Sequence, residues 1–422
     1  MVSADRTSDV ASASRACFSP RSLDAINFLL ADARGAVGPY LNVYLVTERG
    51  WSQSALGVVT LVSGVAALAL QTPIGAVIDR SRAKRGAIVL ALAVMALGAV
   101  VVFARSDFWS ILAASTMIAV VGDIFYPAVA ALTLGLIGRR RLAQRTGRNA
   151  AFDHAGNVVI ALLAAAMGWW FSQRAVFLLV PIFAVLAAAA TLSIPAQAID
   201  HDLARAADPD GKARRRAARP GWRVLLGCKP LVAFGICAFL FHFANAPLLP
   251  LVGQVLAFAH PAWATAMMSI CIVAAQAVML PISILVGHTA DRWGRKPIFL
   301  IGFAVLPVRA VLFTLSHDTG WLIAAQLLDG IGFGIYAALT PLVVADLVRG
   351  TGHYNLALGA VATMTGIGAS ISGLVAGVMV DAFGFDAAFL TLSLVAAIAA
   401  LVFAMAMPET RLELPREPAG PG

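Results

Sequence analysis

Five ionisable side chains stand deep inside apolar runs of this 422-residue chain: Asp32, Arg34, Asp123, His242 and Asp329. A charge at the centre of a bilayer costs about 2.5–3.5 kcal/mol, so each must face water or a partner. Carboxylates and an imidazole in such places suit proton uptake and release. Burial penalises the charged form of an acid, and a nearby arginine or cationic solute restores it. Polar neighbours follow at helical spacing, Asn245 three residues after His242 and Gln326 three before Asp329. Tyr126 lies three past Asp123, and Asn42, Gln71 and Gln276 offer further hydrogen bonds. Asp32 and Arg34, two apart, leave a helix in nearly opposite directions, so a cross-helix pair of Arg34 with Asp123 is expected instead. Asn149, Asp153 and Asn157 form a stripe, with Asp153 expected to pair with Arg145 or Arg148. Arg309, toward the end of its apolar run, is expected to snorkel to the outer surface.

The elements that must carry these groups follow from composition. The chain is 60% hydrophobic and only 13% charged, which points to lipid as its solvent. Apolar runs of bilayer length fall at 23–47, 51–78, 86–104, 108–137, 149–171, 174–195, 228–257, 262–287, 297–316, 319–347, 354–383 and 386–407. These are predicted to be twelve membrane-spanning helices, because lipid leaves the backbone no other hydrogen-bond partners. The net charge of +9 lies in short bursts between spans, a pattern that argues against nucleic acid. With the N-terminus inside, all the Lys and Arg except Arg34, Arg49, Arg105, Arg174 and Arg309 fall in or beside cytoplasmic segments, as the positive-inside rule requires. Residues 1–22 and 408–422 are then cytoplasmic tails, and 196–227 is a polar cytoplasmic linker between bundles at 23–195 and 228–407. Cys17, Cys228, Cys237 and Cys271 are scattered, without disulfide or metal spacing.

The two halves repeat each other. GAVIDRSRAKRG at 75–86 is echoed by GHTADRWGRKPI at 287–298, and Trp51 precedes Asp79 by the same interval as Trp263 precedes Asp291. Span four carries GDIFY and span ten GFGIY. One six-helix unit used twice is the expected plan. The pattern G-x-x-x-D-R-x-G-R-K after a half's second helix resembles the signature of the major facilitator superfamily. The second copy carries it in full: Gly287, Asp291, Arg292, Gly294, Arg295 and Lys296. The first keeps Gly75, Asp79, Arg80 and Lys84, with Arg82 and Ala83 departing from it. The resemblance implies an all-α membrane fold, twelve helices in two pseudo-symmetric six-helix bundles, with spans one, four, seven and ten around a cavity. Those spans hold Asp32, Arg34, Asp123, Tyr126, His242, Asn245, Gln326 and Asp329 as the substrate and proton pathway. It also implies that both motif copies act as a gating latch.

The same resemblance implies a secondary transporter that moves a small solute across a bacterial cytoplasmic membrane by alternating access. Protons are the expected coupling ion and a monomer the expected state. No phosphate-binding loop is present, and neither enzyme activity, cofactor nor metal is expected. Export stands open beside import, although the family's drug exporters carry an arginine in span four and a Gly-Pro pair in span five. This chain has Asp123 and no such proline. A passive facilitator and a non-transporting receptor or scaffold remain alternatives.

Overall fold

The computed structural model describes residues 20–31, 37–80, 84–138, 142–199, 225–349 and 353–410, and among them every regular element is a helix. The first half holds α1 (Pro20–Leu29), α2 (Val37–Thr47), α3 (Gln53–Arg80), α4 (Lys84–Ala104), α5 (Phe108–Ile137), α6 (Leu142–Trp170) and α7 (Leu179–Leu192). The second holds α8 (Lys229–Asn245), α9 (Leu248–Ala259), α10 (Ala264–Trp293), α11 (Arg295–Leu315), α12 (Thr319–Leu347), α13 (Tyr354–Phe383) and α14 (Phe385–Ala406). Ten stretches of the described residues are long and apolar enough to cross a bilayer. Of the other expected spans, the fourth is the 30-residue α5 and the first is divided between α1 and α2. Most of the linker and both tails lie outside the described residues.

Spans alternate in direction. The end at which the described chain starts and finishes is called here the near end, and the opposite one the far end. Helix starts at the far end repeat between the halves. Asp107 Oδ1 accepts the Ser110 N–H at 3.0 Å before α5, and Asp318 Oδ1 accepts the Trp321 N–H at 3.0 Å before α12. Each satisfies a donor that the first turn leaves open. The seventh span breaks after α8, where Ala246 N–H closes on His242 O at 3.0 Å and Pro247 has no N–H to continue the ladder.

Both motif copies sit partly on helix rather than in the expected loop. Gly75, Asp79 and Arg80 belong to α3, and Gly287, Asp291 and Arg292 to α10. The turn itself is Gly294, whose φ of 91° suits glycine. Arg292 in the last turn of α10 complements the negative end of the helix dipole.

Outward faces are apolar: Leu90 and Leu97 on α4, Val185 on α7, and Leu394 and Leu401 on α14 are all exposed. Lipid removes the penalty that water would impose on such surfaces. Inside, one apolar cluster draws on residues from Leu23 to Ile199 and a second on Leu225 to Met407. Three residues from the far part of the second half, Ala257, Ala264 and Met268, pack into the first cluster. The seams between halves run where α3 lies along α13 and α6 along α10.

Candidate functional site

Between the halves lies a cavity of about 470 Å³. Its wall takes Asn42 from α2, Thr60 and Ser63 from α3, Ser115 from α5, Asn245 from the end of α8, Gln276 from α10, and Asp329 from α12. The remainder is largely apolar, with Leu41, Val59, Leu249, Ile272, Met279 and Phe333. Such a lining suits a solute with an apolar body and a few hydrogen-bonding groups.

Asp329 does not stand free in this wall. It forms an ion pair with Arg309 of α11, whose side chain is only 1% exposed. The second Arg309 amino group donates to Asn245 Oδ1 at 2.7 Å, and Gln326 Nε2 donates to Asp329 Oδ2 at 3.2 Å. Three helices of the second half, α8, α11 and α12, are thereby tied through one guanidinium. The expectation that Arg309 snorkels outward is wrong. It reaches inward because a buried carboxylate and an amide oxygen offer it a site, and such a pair is stable only when both charges are hydrogen-bonded. The absence of any charged neighbour within a turn of Arg309 in the sequence was the available signal.

His242 is placed differently from its expected neighbours. The wall of the cavity does not include it. Its ring packs edge-on to Tyr336, with centroids 4.7 Å apart, and lies near Phe241 and Phe333. Its Nδ1 is 3.3 Å from the Ala238 carbonyl. Asn245 and Gln326 are brought to Asp329; His242 is not. Asp32 and Arg34 lie outside the described residues, as do the side chains of Asp123, Tyr126, Asp79, Arg80, Lys84 and Asp291. The expected Arg34–Asp123 pair falls with them.

Arg145 and Arg148 converge on Asp24 rather than on Asp153. Arg145 donates to Asp24 Oδ1 at 2.7 Å, and Arg148 grips both oxygens at 2.9 and 2.7 Å. Arg145 also donates to Asn149 Oδ1 at 2.8 Å, and Asn149 in turn to Thr133 at 3.1 Å. This network joins α1 to α5 and α6 at the near end. Through it α1 is held against the rest of the first half.

The two ends of the molecule differ. At the far end the halves touch closely: Tyr40 Oη and Ser269 Oγ are 2.8 Å apart, and the Trp169 and Trp263 rings lie 4.3 Å apart. Glycines make the approach possible. A Cβ on Gly57 would lie 2.5 Å from Leu374 Cα, and one on Gly377 would lie 2.3 Å from the Gln53 carbonyl oxygen. The small face of α13, with Gly373 and Gly377, therefore serves packing within the chain, as expected. Deeper in, His154 Nδ1 meets Gln276 Oε1 at 2.8 Å.

At the near end, the second half closes on itself through Arg295, Asp346 and Glu409. Arg295 pairs with Asp346 at the end of α12, and Glu409 accepts the Arg295 and Lys296 N–H groups at 2.9 and 3.1 Å. Gly287 faces open space, with nothing within 4 Å of a Cβ built there. No neighbouring helix among the described residues packs closely on that glycine in this arrangement. No group of His, Cys, Asp and Glu among the described residues could hold a metal ion.

The sequence model described as the Major Facilitator Superfamily matches residues 23–287 and 263–422. The uncharacterized MFS-type transporter Rv2456c of Mycobacterium tuberculosis is 48% identical over 391 residues, which cover 92% of this chain and 93% of that protein. The methyl viologen resistance protein SmvA of Salmonella typhimurium is 27% identical over 113 residues, 27% of this chain and 23% of SmvA. Among solved structures, the nucleoside transporter NupG superposes with a TM-score of 0.69 at 15% identity, over 91% of this chain and 98% of its own. The D-xylose–proton symporter superposes with a TM-score of 0.72 at 12% identity, over 93% and 97%. At such identities the superpositions speak for the fold alone.

Proposed function

We propose, from the premise that this chain belongs to the major facilitator superfamily and is a multi-pass membrane transporter, that it is a proton-coupled secondary transporter of a small solute. The observation that carries the reading is Asp329: a carboxylate in the wall of a cavity built from both halves, held by an arginine behind that wall. The bundles at 23–195 and 228–407 rock about this cavity, and the linker 196–227 tethers them in the cytoplasm with both tails. The near end is cytoplasmic by charge, so the arrangement described, closed at the far end, is the state that faces inward. The membrane is the cytoplasmic membrane of a bacterium, and the working unit is a monomer.

The coupling has a physical scale. A proton on Asp329 leaves Arg309 buried without a counter-charge, a change of about 3–5 kcal/mol when one partner of a buried pair is lost. Driving a two-state equilibrium from 1:99 to 99:1 takes about 5.5 kcal/mol. Breaking this one pair therefore supplies most of what a full inward-to-outward switch needs, provided the pair re-forms or finds water in only one state. Asn245 and Gln326 hold the two groups in register. Asp32, Arg34, Asp123 and Tyr126 belong to the same pathway, and His242 supports it from the aromatic layer behind. When the far end opens, the near end closes through Gly75, Asp79, Arg80 and Lys84 with Gly287, Asp291, Arg292, Gly294, Arg295 and Lys296. The open space at Gly287 is what a released latch leaves.

The test begins with a thermal-stability screen of purified protein against sugars, nucleosides, amino acids and amphipathic amines, since a ligand of the folded state raises its melting point. A radiolabelled hit is then followed in proteoliposomes. Accumulation driven by an imposed pH gradient, lost with a protonophore and lost in Asp329→Asn, supports coupling. Equilibration that ignores the gradient makes the protein a passive facilitator.

A further inference from the structure

A second, smaller cavity of about 80 Å³ continues the main one toward the far end. The two share Asn42, Thr60, Ala246 and Pro250 in their walls. Measured in the same way, the smaller space is about a sixth of the main one, so it is a narrow extension of that cavity. Its far wall includes Gln53, Gln254 and Gly377.

Gln53 is where three helices meet. It is the first residue of α3, and its side chain donates to Gln254 Oε1 of α9 at 2.7 Å. Its backbone N–H donates to Asp381 Oδ1 of α13 at 3.0 Å, and the next N–H, of Ser54, donates to Asp381 Oδ2 at 2.7 Å. The first turn of a helix has N–H groups without partners and a partial positive charge. Asp381 fills that need from the opposite half of the molecule, so the charge-assisted bonds form only when the halves are together. Gly377, one turn earlier on α13, lets the helix come close enough for the carboxylate to reach. On the other side, α9 is set off from α8 by the break at Ala246–Pro247.

We infer that Asp381, Gln53 and Gln254 form the far gate of the solute route, with the Asp381 carboxylate as the latch that caps α3 across the two halves. The inference rests on the transporter reading for its purpose, but it is tested without solute or proton gradient. Spin labels are placed at Trp109→Cys and Phe383→Cys, exposed far-end positions on opposite halves, with Cys17, Cys228, Cys237 and Cys271 replaced by Ala. Distances are measured by pulsed electron resonance on the full chain in lipid nanodiscs. The parent protein gives one dominant short distance. Asp381→Ala removes both acceptors and raises the long-distance fraction about tenfold. Ser54→Pro removes one donor at a first-turn position that tolerates proline, and raises it about threefold. An unchanged distribution in either variant, in monodisperse protein, overturns the latch. Should one variant fail to stay monodisperse, the other decides alone. Absence of proton-driven transport in the parent protein, with the expected distance shifts seen in the variants, would count against the coupling reading and not against the gate.

Discussion

Replacing Asp329 by asparagine is expected to weaken the fold, and adding Arg309→Met is expected to restore it. The side chains of Arg309 and Asp329 are 1% and 15% exposed, so water screens the pair little. Two unit charges about 4 Å apart at an effective dielectric near 20 attract by about 4 kcal/mol. Asp329→Asn removes that attraction and leaves the guanidinium with neutral acceptors, chiefly Asn245 Oδ1 at 2.7 Å. A loss of about 3–5 kcal/mol follows. Arg309→Met strands the carboxylate instead, but the cavity gives it some water, so the loss falls toward the lower end of that range. With both changes no charge is left buried, and the double variant should lie within about 1 kcal/mol of the parent, since apolar replacement of a buried pair is often neutral. The assay is unfolding of the detergent-purified protein for the parent, both singles and the double. Losses that simply add in the double would refute the pairing argument, because contacting groups must show a coupling energy well above the roughly 0.3–0.5 kcal/mol scatter of independent sites. The same double variant separates stability from function: it should fold well yet fail to accumulate solute against a gradient.

Two other outcomes follow from the packing. Asp24→Asn should cost about 3 kcal/mol in unfolding measurements, because the buried Arg145 loses its counter-charge, whereas Arg148→Ala, with that side chain 57% exposed, should cost clearly less. Alanine at Gly156 and at Gly57 should act in opposite ways. Gly156 lies within the first half, where a Cβ would sit 2.2 Å from the Phe28 carbonyl oxygen, so the variant loses about 1–3 kcal/mol of stability. Gly57 lies on the seam with Leu374, so its variant keeps its stability and shifts the far-end distance distribution to longer values. Equal melting losses for the two glycines would refute the distinction between internal and seam packing.

Much of this was legible without coordinates, and the reason is the solvent. Lipid demands long apolar helices, so hydropathy alone marked the spans, the basic bursts marked one end, and the repeated motif marked two related halves. Local spacing also carried: Gln326 reaches Asp329 because three residues on a helix share a face. What sequence could not carry was rotation and approach. His242 and Asn245 share a helix, yet only Asn245 meets the cavity, because the turn of α8 about its axis is set by the aromatic rings packed on it. Arg309 was read outward and points inward. Arg145 and Arg148 bind Asp24, more than a hundred residues away, and Asp381 caps a helix on the other half of the chain. Each of these pairs joins residues remote in sequence through distances of about 3 Å. Such distances are decided when helices choose which faces to press together, which periodicity limits but does not determine.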